Sequence, residues 1–340
     1  MLKSSKKMRL KKEKQISYLI KISDQIGLVE HATFDEPNYD EGWCVDDNAR
    51  AIQVCLAFAK NKKLEEKLPV YVDFVSLAWR QGRLFNDFNK DLTWRDDAST
   101  SGEHIGRALS ALGELVNKRS DFKIKSLTNK IYGSIKNQKN LSPRVIAQLI
   151  LGGKYLYPNE VKKWADRLIE IYNREKSADW RWFEPLVSYD NGRIPLALLT
   201  AFKVSGEKKY LETGIETLNW LTDLLWKKDK NCFSFAGNGG WIQKNGFRAV
   251  FDQQPVEAGS MIEVYCLAYK VTGEKKYKKL AKAAFDWYEG KNIKNQKMIN
   301  ETGGGIYDGF GEKEVNQNQG AEAVLSYLLA VASLESIESD

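Results

Sequence analysis

Apolar and polar positions along this chain fall into blocks with helical spacing. Residues 8–26 place Leu10, Ile16, Leu19, Ile22 and Ile26 on one face opposite a charged one, and Gly27 is positioned to end that helix. Leu68-Pro69 opens a second amphipathic helix toward Trp79, with Pro69 in the first turn, where its missing N–H is tolerated. Four more amphipathic helices are predicted over about 121–135, 159–172, 208–226 and 275–288. Between these lie six helices that are apolar on almost every side, starting near Asp46, Glu103, Pro143, Asn191, Pro255 and Gly320. Ser142-Pro143 is a strong start, a capping Ser followed by Pro in the first turn. A helix apolar all round must be buried.

The two kinds of helix alternate strictly, and part of the pattern repeats. Residues 201–210, from Ala201 through Gly206 to Tyr210, match residues 268–277, from Ala268 through Gly273 to Tyr277. In each copy a buried helix stops at the Gly and an amphipathic helix follows, reaching Trp220 and Trp287 at the same offset. Credible strands are absent, although short pieces such as 232–235 suit minor hairpins. Six helical hairpins build either an open solenoid or a closed double ring. An open solenoid exposes both helix layers and keeps its repeats uniform. Here the inner helices are far more apolar than the outer ones, and loop lengths vary. The expected fold is therefore all-α, an (α/α)6 toroid, with residues 1–340 as one domain and 1–14 as a flexible basic tail.

Composition adds little to this picture and excludes several classes. With 340 residues and 43% hydrophobic content, the chain has enough apolar surface for a large core. The net charge of +7 is concentrated in the N-terminal lysines and Arg9, which read as a solvated helix face or tail. No interleaving of aromatic and basic residues suggests a nucleic-acid groove. No stretch approaches a membrane span, and the basic start lacks the apolar run of a signal peptide. A cytoplasmic protein is expected, without nucleic-acid or membrane partners. Cys44, Cys55, Cys232 and Cys266 show no metal or redox spacing. With His31 and His104 the only histidines, no metal and no cofactor is expected.

Chemistry concentrates where the loops enter the apolar helices. Asp46, Asp47 and Arg50 stand at the first such entry; Trp94, Asp96, Asp97, His104 and Arg107 at the second. Trp182, Glu184, Tyr189, Asp190 and Asn191 precede the fourth, Asp252, Gln253 and Glu257 the fifth, and Asp308, Asn318 and Glu322 the sixth. In a toroid these entries surround one end of the central cavity. Carboxylates, amides, arginines and aromatic rings together suit a sugar: rings stack on pyranose faces, and polar groups pair with hydroxyls. Glycosidic cleavage needs a carboxylic acid and a second carboxylate across the bond. Taken singly, each Asp or Asn also serves as a helix cap, each Arg as a partner for a nearby acid, and each Trp as core.

Five segments carry a resemblance: Gly42 to Ala51, Gly106 to Gly113, Trp182 to Leu199, Phe251 to Ala258 and Tyr307 to Ala323. With Asp46-Asp47-Asn48-Ala49-Arg50, Trp182-Phe183-Glu184, Asp252-Gln253-Gln254-Pro255 and Asn318-Gln319-Gly320-Ala321-Glu322, the chain resembles the six-hairpin glycosidase superfamily. More narrowly, it is similar to a group of glycosidase-like proteins often associated with glycosyltransferases. Gly192 stands where that pattern often has Ala, and Ala323 where Ser is common. The resemblance implies sugar chemistry on an oligosaccharide, in association with a glycosyltransferase or glycoside phosphorylase. The resulting expectation is a glycoside hydrolase, inverting by analogy of fold. Asp47, Glu184, Asp252 and Asp308 are the acid and base candidates. Asp46, Arg50, Asp97, His104, Arg107, Asp190, Asn191, Gln253, Glu257, Asn318 and Glu322 are expected to bind substrate, with Trp94, Trp182 and Tyr189 as stacking walls. Two alternatives remain beside it: a sugar epimerase, which usually wants histidines as proton carriers, and a non-catalytic glycan-binding partner.

Overall fold

The computed structural model describes residues 2–95 and 102–338, with side chains from Lys12 onward. The inner helices are α2 (Val45–Ala57), α4 (Glu103–Arg119), α6 (Pro143–Leu156), α8 (Arg193–Ser205), α10 (Pro255–Thr272) and α12 (Ala321–Glu338). The outer ones are α1 (Leu2–Lys21), α3 (Lys62–Leu77), α5 (Phe122–Ile135), α7 (Pro158–Glu175), α9 (Lys208–Leu225) and α11 (Lys275–Tyr288). Each inner helix packs on the next, and α12 packs back on α2, so the ring closes into an (α/α)6 toroid. Closure buries the inner helices on both sides, which explains why α10 and α12 are apolar around most of their circumference.

Local signals end and start many of these helices as expected. Asp121 and Ser142 cap α5 and α6 by accepting from the N–H groups of Ile124 and Val145. The two repeat glycines, Gly206 and Gly273, close α8 and α10 in the left-handed conformation, with φ of 74° and 72°.

Two boundaries differ from expectation. Helix α1 begins at Leu2, within the segment expected to be a tail, and stops at Lys21 rather than near Ile26. The Asp24 carboxylate accepts from the N–H groups of Ile26 and Gly27, a local turn that competes with the helix. Helix α3 starts at Lys62, so Pro69 lies inside it and not in its first turn. Asn61 caps that start through the N–H groups of Lys63 and Leu64, and burial of Leu64, Leu68, Tyr71 and Val75 offsets the lost proline hydrogen bond.

Connections from inner to outer helices are short, whereas those from outer to inner are long. The long loops therefore gather at the end where the inner helices begin. Among the described residues they contain six strand pairs of two residues per strand, including Ala32–Thr33 with Glu36–Pro37, Gly309–Phe310 with Val315–Asn316, and the anticipated Cys232–Phe233 with Trp226–Lys227. No described helix is long and apolar enough to cross a membrane.

The seam between α4 and α6 is drawn tight at Gly106. A Cβ there would lie 2.3 Å from the Cβ of Gln148. Neither atom is the end of a flexible chain, so the helices must part. Gly106→Ala is expected to destabilise by about 1–3 kcal/mol despite alanine's better helix propensity. Urea unfolding measures it; an unchanged or raised midpoint would contradict the close approach.

Candidate active site

The N-terminal ends of the inner helices enclose a cavity of about 510 Å³. Its wall carries Asp46, Asp47 and Arg50 from α2, Glu103 and Arg107 from α4, and Glu322 from α12; Glu30, Asp252 and Asp308 come from loops. The aspartates of α2 do not cap their helix. Cys44 holds the cap position but its side chain caps no backbone N–H, and Asn86 accepts from the Asp46 N–H through its side chain and from the Val45 N–H through its carbonyl. Both Asp46 and Asp47 are thereby released to face the cavity. Asn48, one residue on, is buried and ties the loop to α2 through Leu28 and Cys44.

Three carboxyls on this wall hold their protons to unusually high pH. Burial pushes Glu30 up to about 8, helped by the charges of Asp47, Asp87 and Asp46. Burial pushes Asp47 up to about 6, with Glu322 and Asp46 adding to it and Arg50 opposing. Burial also raises Asp308 to about 6, with Glu322 adding to it, although the Gly320 N–H donates to it at 2.6 Å. Glu322 thus stands electrostatically between Asp47 and Asp308. The guanidinium of Arg50 lies 3.7 Å from Asp47 and 3.4 Å from Glu322. The Cys44 thiol donates to Asp47 at 3.5 Å and is itself raised by burial. Glu30, Cys44 and Asp47 cluster closely enough to hold a cation.

A second layer of charge holds the rim together. Arg107 reaches Asp46 at 2.8 Å, Glu103 at 3.2 Å and Asp190 at 3.4 Å. Burial opposes ionisation of Asp46, yet Arg107, Arg50 and His104 keep its carboxyl below the usual range. Arg193 joins Asp190 to Glu263. Glu257 accepts from the Asp190 N–H and from the Asn191 amide, and burial pushes it up to about 8.

A carboxyl raised on folding favours the folded state fully below its unfolded value, and that contribution is lost as pH rises through the folded one. For Glu257 the window runs from about 4.5 to about 8. Thermal stability is expected to fall from pH 5 to pH 8.5, and Glu257→Gln to flatten the slope. Calorimetry across this range checks it, and an equal slope in the variant would contradict it.

The expected site residues divide into two groups. Asp46, Asp47, Arg50, Arg107, Tyr189, Asp252, Asp308, Asn318 and Glu322 line the cavity. The others do not. Glu184 is bound to Arg144 at 2.6 Å. Trp182 is fully buried between Phe183 and Trp220, and Trp94 packs on Phe74, Phe85 and Phe88 beside a surface groove. Gln253 is wholly buried, with its amide spent on Phe235, Ser234 and Val250. His104 meets the Leu84 carbonyl at 3.1 Å. Asp190, Asn191 and Glu257 form the buried scaffold behind the wall. Asp97 lies outside the described residues.

Sequence reasoning missed Glu30, Glu103 and Arg144. Glu30 ends a short apolar run just before the His31 loop, and Glu103 is the first residue of α4 as Asp46 is nearly the first of α2. That positional equivalence was the available signal. A second cavity of about 490 Å³ opens toward the C-terminal ends of the inner helices and shares Arg50 and Arg107 with the first. Lys154, Lys203 and Lys270 line it with Glu263, already paired to Arg193, so it lacks the acid pairs of the N-terminal cavity.

No protein-family model and no curated protein matches the chain. Solved structures of the same fold do. A cellobiose 2-epimerase from Bacillus thermoamylovorans is 14% identical over all of both chains, with a TM-score of 0.79. A D-mannose isomerase is 13% identical over 98% of this chain and 97% of that one, with a TM-score of 0.75. An inactive variant of an α-1,6-mannanase from Salegentibacter sp., with two adjacent aspartates replaced and α-1,6-mannotetrose bound, is 10% identical over 97% of this chain and 99% of that one, with a TM-score of 0.69. At such identities the likeness is one of fold.

Proposed function

We propose that this protein is a carbohydrate-active enzyme, a glycoside hydrolase acting on an oligosaccharide held in the N-terminal cavity. The observation that carries the reading is the set of raised carboxyls, Asp47 and Asp308 at about 6 and Glu30 at about 8, facing one cavity with Glu322 and Asp252. A protonated carboxyl donates to the leaving oxygen while a charged one activates water or attacks the anomeric carbon. Asp47 and Asp308 are the proton carriers in this reading, raised chiefly by burial and further by the charge of Glu322, a neighbour both share. The mannanase that shares the fold is inactive when two adjacent aspartates are replaced; Asp46 and Asp47 are such a pair here.

Epimerisation is the second reading, favoured by His31 on the cavity wall, 3.6 Å from Glu30, and by the epimerase folds. It needs two proton carriers about one carbon, and His104 is spent on the Leu84 carbonyl. The test is reducing-end release over a panel of α- and β-linked oligosaccharides, run in deuterium oxide. Hydrolysis gives new reducing ends without deuterium at carbon 2; epimerisation gives the reverse. Neither, with sugars still bound, favours a glycan-binding partner. For the hydrolase, kcat/KM is expected to fall as pH rises above about 6, because the acid loses its proton. A rate still climbing at pH 9 would sink the assignment of Asp47 or Asp308 as acid.

A further inference from the structure

Positive φ is costly for any side chain but glycine, more so for a bulky one. Nine described non-glycine residues have it, and two are aromatic: Phe34 at 54° and Trp241 at 57°. Both belong to loops of the acidic cavity. Phe34 sits at the tip of the hairpin between Ala32–Thr33 and Glu36–Pro37, a place where glycine, asparagine or aspartate is the usual choice. The residue is 61% exposed, so packing does not account for it.

The hairpin is nonetheless held firmly. The Phe34 N–H donates to Asn318 at 2.9 Å, and Asn318 lines the cavity. Lys21 of α1 grips Asp35 at 2.9 Å and Glu36 at 2.8 Å. Trp241 lies in another sector of the rim, three residues after the cavity-lining Asn238. Its ring stands 6.3 Å from that of Tyr189, also on the cavity wall. The Arg144 guanidinium, 4.8 Å from the centre of the Tyr189 ring, lies over one of its faces, and the half-buried Trp241 adds a second aromatic surface there.

We propose that Phe34 and Trp241 are stacking platforms for sugar units that extend beyond the cavity in two directions, so that the site takes chains longer than a disaccharide. The proposal rests on the carbohydrate reading above. Aromatic faces suit the apolar faces of pyranose rings, and the strained backbone holds each ring where an exposed loop would otherwise let it wander. These platforms take the place of Trp94 and Trp182, which the fold packs elsewhere.

Titration calorimetry in the Asp308→Asn background, where ligand is not turned over, tests this with cellobiose, cellotetraose, α-1,6-mannobiose and α-1,6-mannotetraose. For the pair that binds, Phe34→Gly and Trp241→Ala are each expected to weaken the tetrasaccharide about five- to tenfold and shrink the tetrasaccharide-to-disaccharide ratio. Phe34→Gly should raise or preserve the melting temperature, since glycine relieves the backbone, and Phe34→Tyr should restore binding. A merely structural role would do the opposite on both counts. Phe122→Ala, at a residue 84% exposed on α5, is the control and should change nothing. Tetrasaccharide binding within twofold of the parent in both variants overturns the platforms, whether or not glycosides are cleaved. Length-dependent binding that needs both rings, with no cleavage by the parent enzyme, upholds the platforms and overturns the hydrolase. No binding by any of the four sugars overturns the platforms.

Discussion

Asp308→Asn and Asp47→Asn are each expected to lower turnover on the cleaved glycoside by about 10²–10⁴-fold, the usual worth of a positioned acid or base. Asparagine has nearly the same shape. At position 308 it still accepts from the Gly320 N–H, so the loop that starts α12 keeps its anchor. At position 47 it keeps a partner for the Cys44 thiol. What it cannot do is give up a proton near pH 6, which burial and the charge of Glu322 otherwise arrange for both groups. Substrate affinity should change far less than turnover. The variant lacking the acid should also lose the alkaline limb of the pH profile and recover partly on substrates with a good leaving group. Glu184→Gln, by contrast, breaks the 2.6 Å pair with Arg144 outside the cavity and should show mainly as lost stability. If both Asn variants turn over at near parental rates, the proton-carrier assignment is wrong.

Arg107→Met is expected to be the most destabilising single change at the rim, by about 3–5 kcal/mol, the cost of stranding a buried charge. For a chain of this size that lowers the melting temperature by roughly 4–7 °C. Arg107 is 6% exposed and meets three carboxylates from three elements: Asp46 of α2, Glu103 of α4 and Asp190 of the loop before α8. Asp190 retains Arg193, but Asp46 and Glu103 lose the cation between them. The Tyr189 hydroxyl still donates to Glu103 at 2.7 Å but brings no charge to offset that acid. Acid should rescue part of the loss, because protonated carboxyls no longer repel. Melting curves at pH 4.5 and pH 7.5 check both halves. An equal loss at the two pH values would point to packing of the arginine stem instead of its charge.

The helices and their alternation were legible in the chain because both depend on near neighbours. The 3.6-residue period, the caps at Asp121 and Ser142, and the glycine stops at Gly206 and Gly273 act within a turn or two. The excess of apolar surface on α10 and α12 then demanded cover on both sides, which a closed ring supplies. Where local signals compete, helix boundaries move: the Asp24 turn shortens α1, and the Asn61 cap draws Pro69 into α3.

The candidate cavity was legible as a place and not as a set of roles. Composition located acids, arginines and rings at one rim. Which of them face inward is decided by partners far along the chain: Glu184 turns to Arg144 across 40 residues, and Asp190 to Arg107 across 83. Gln253 and Trp182 resemble sugar-binding groups in the sequence, yet burial commits both to the scaffold. Glu30 gains its high proton affinity from burial and, after that, from the charges of Asp47 and Asp87, all of which folding alone supplies. Residue types and periodicity therefore determined the ring and the end at which its acids and arginines gather. Tertiary structure decided which side chains are charged, which are protonated and which are free, because each of those depends on burial and on charges brought together from distant segments.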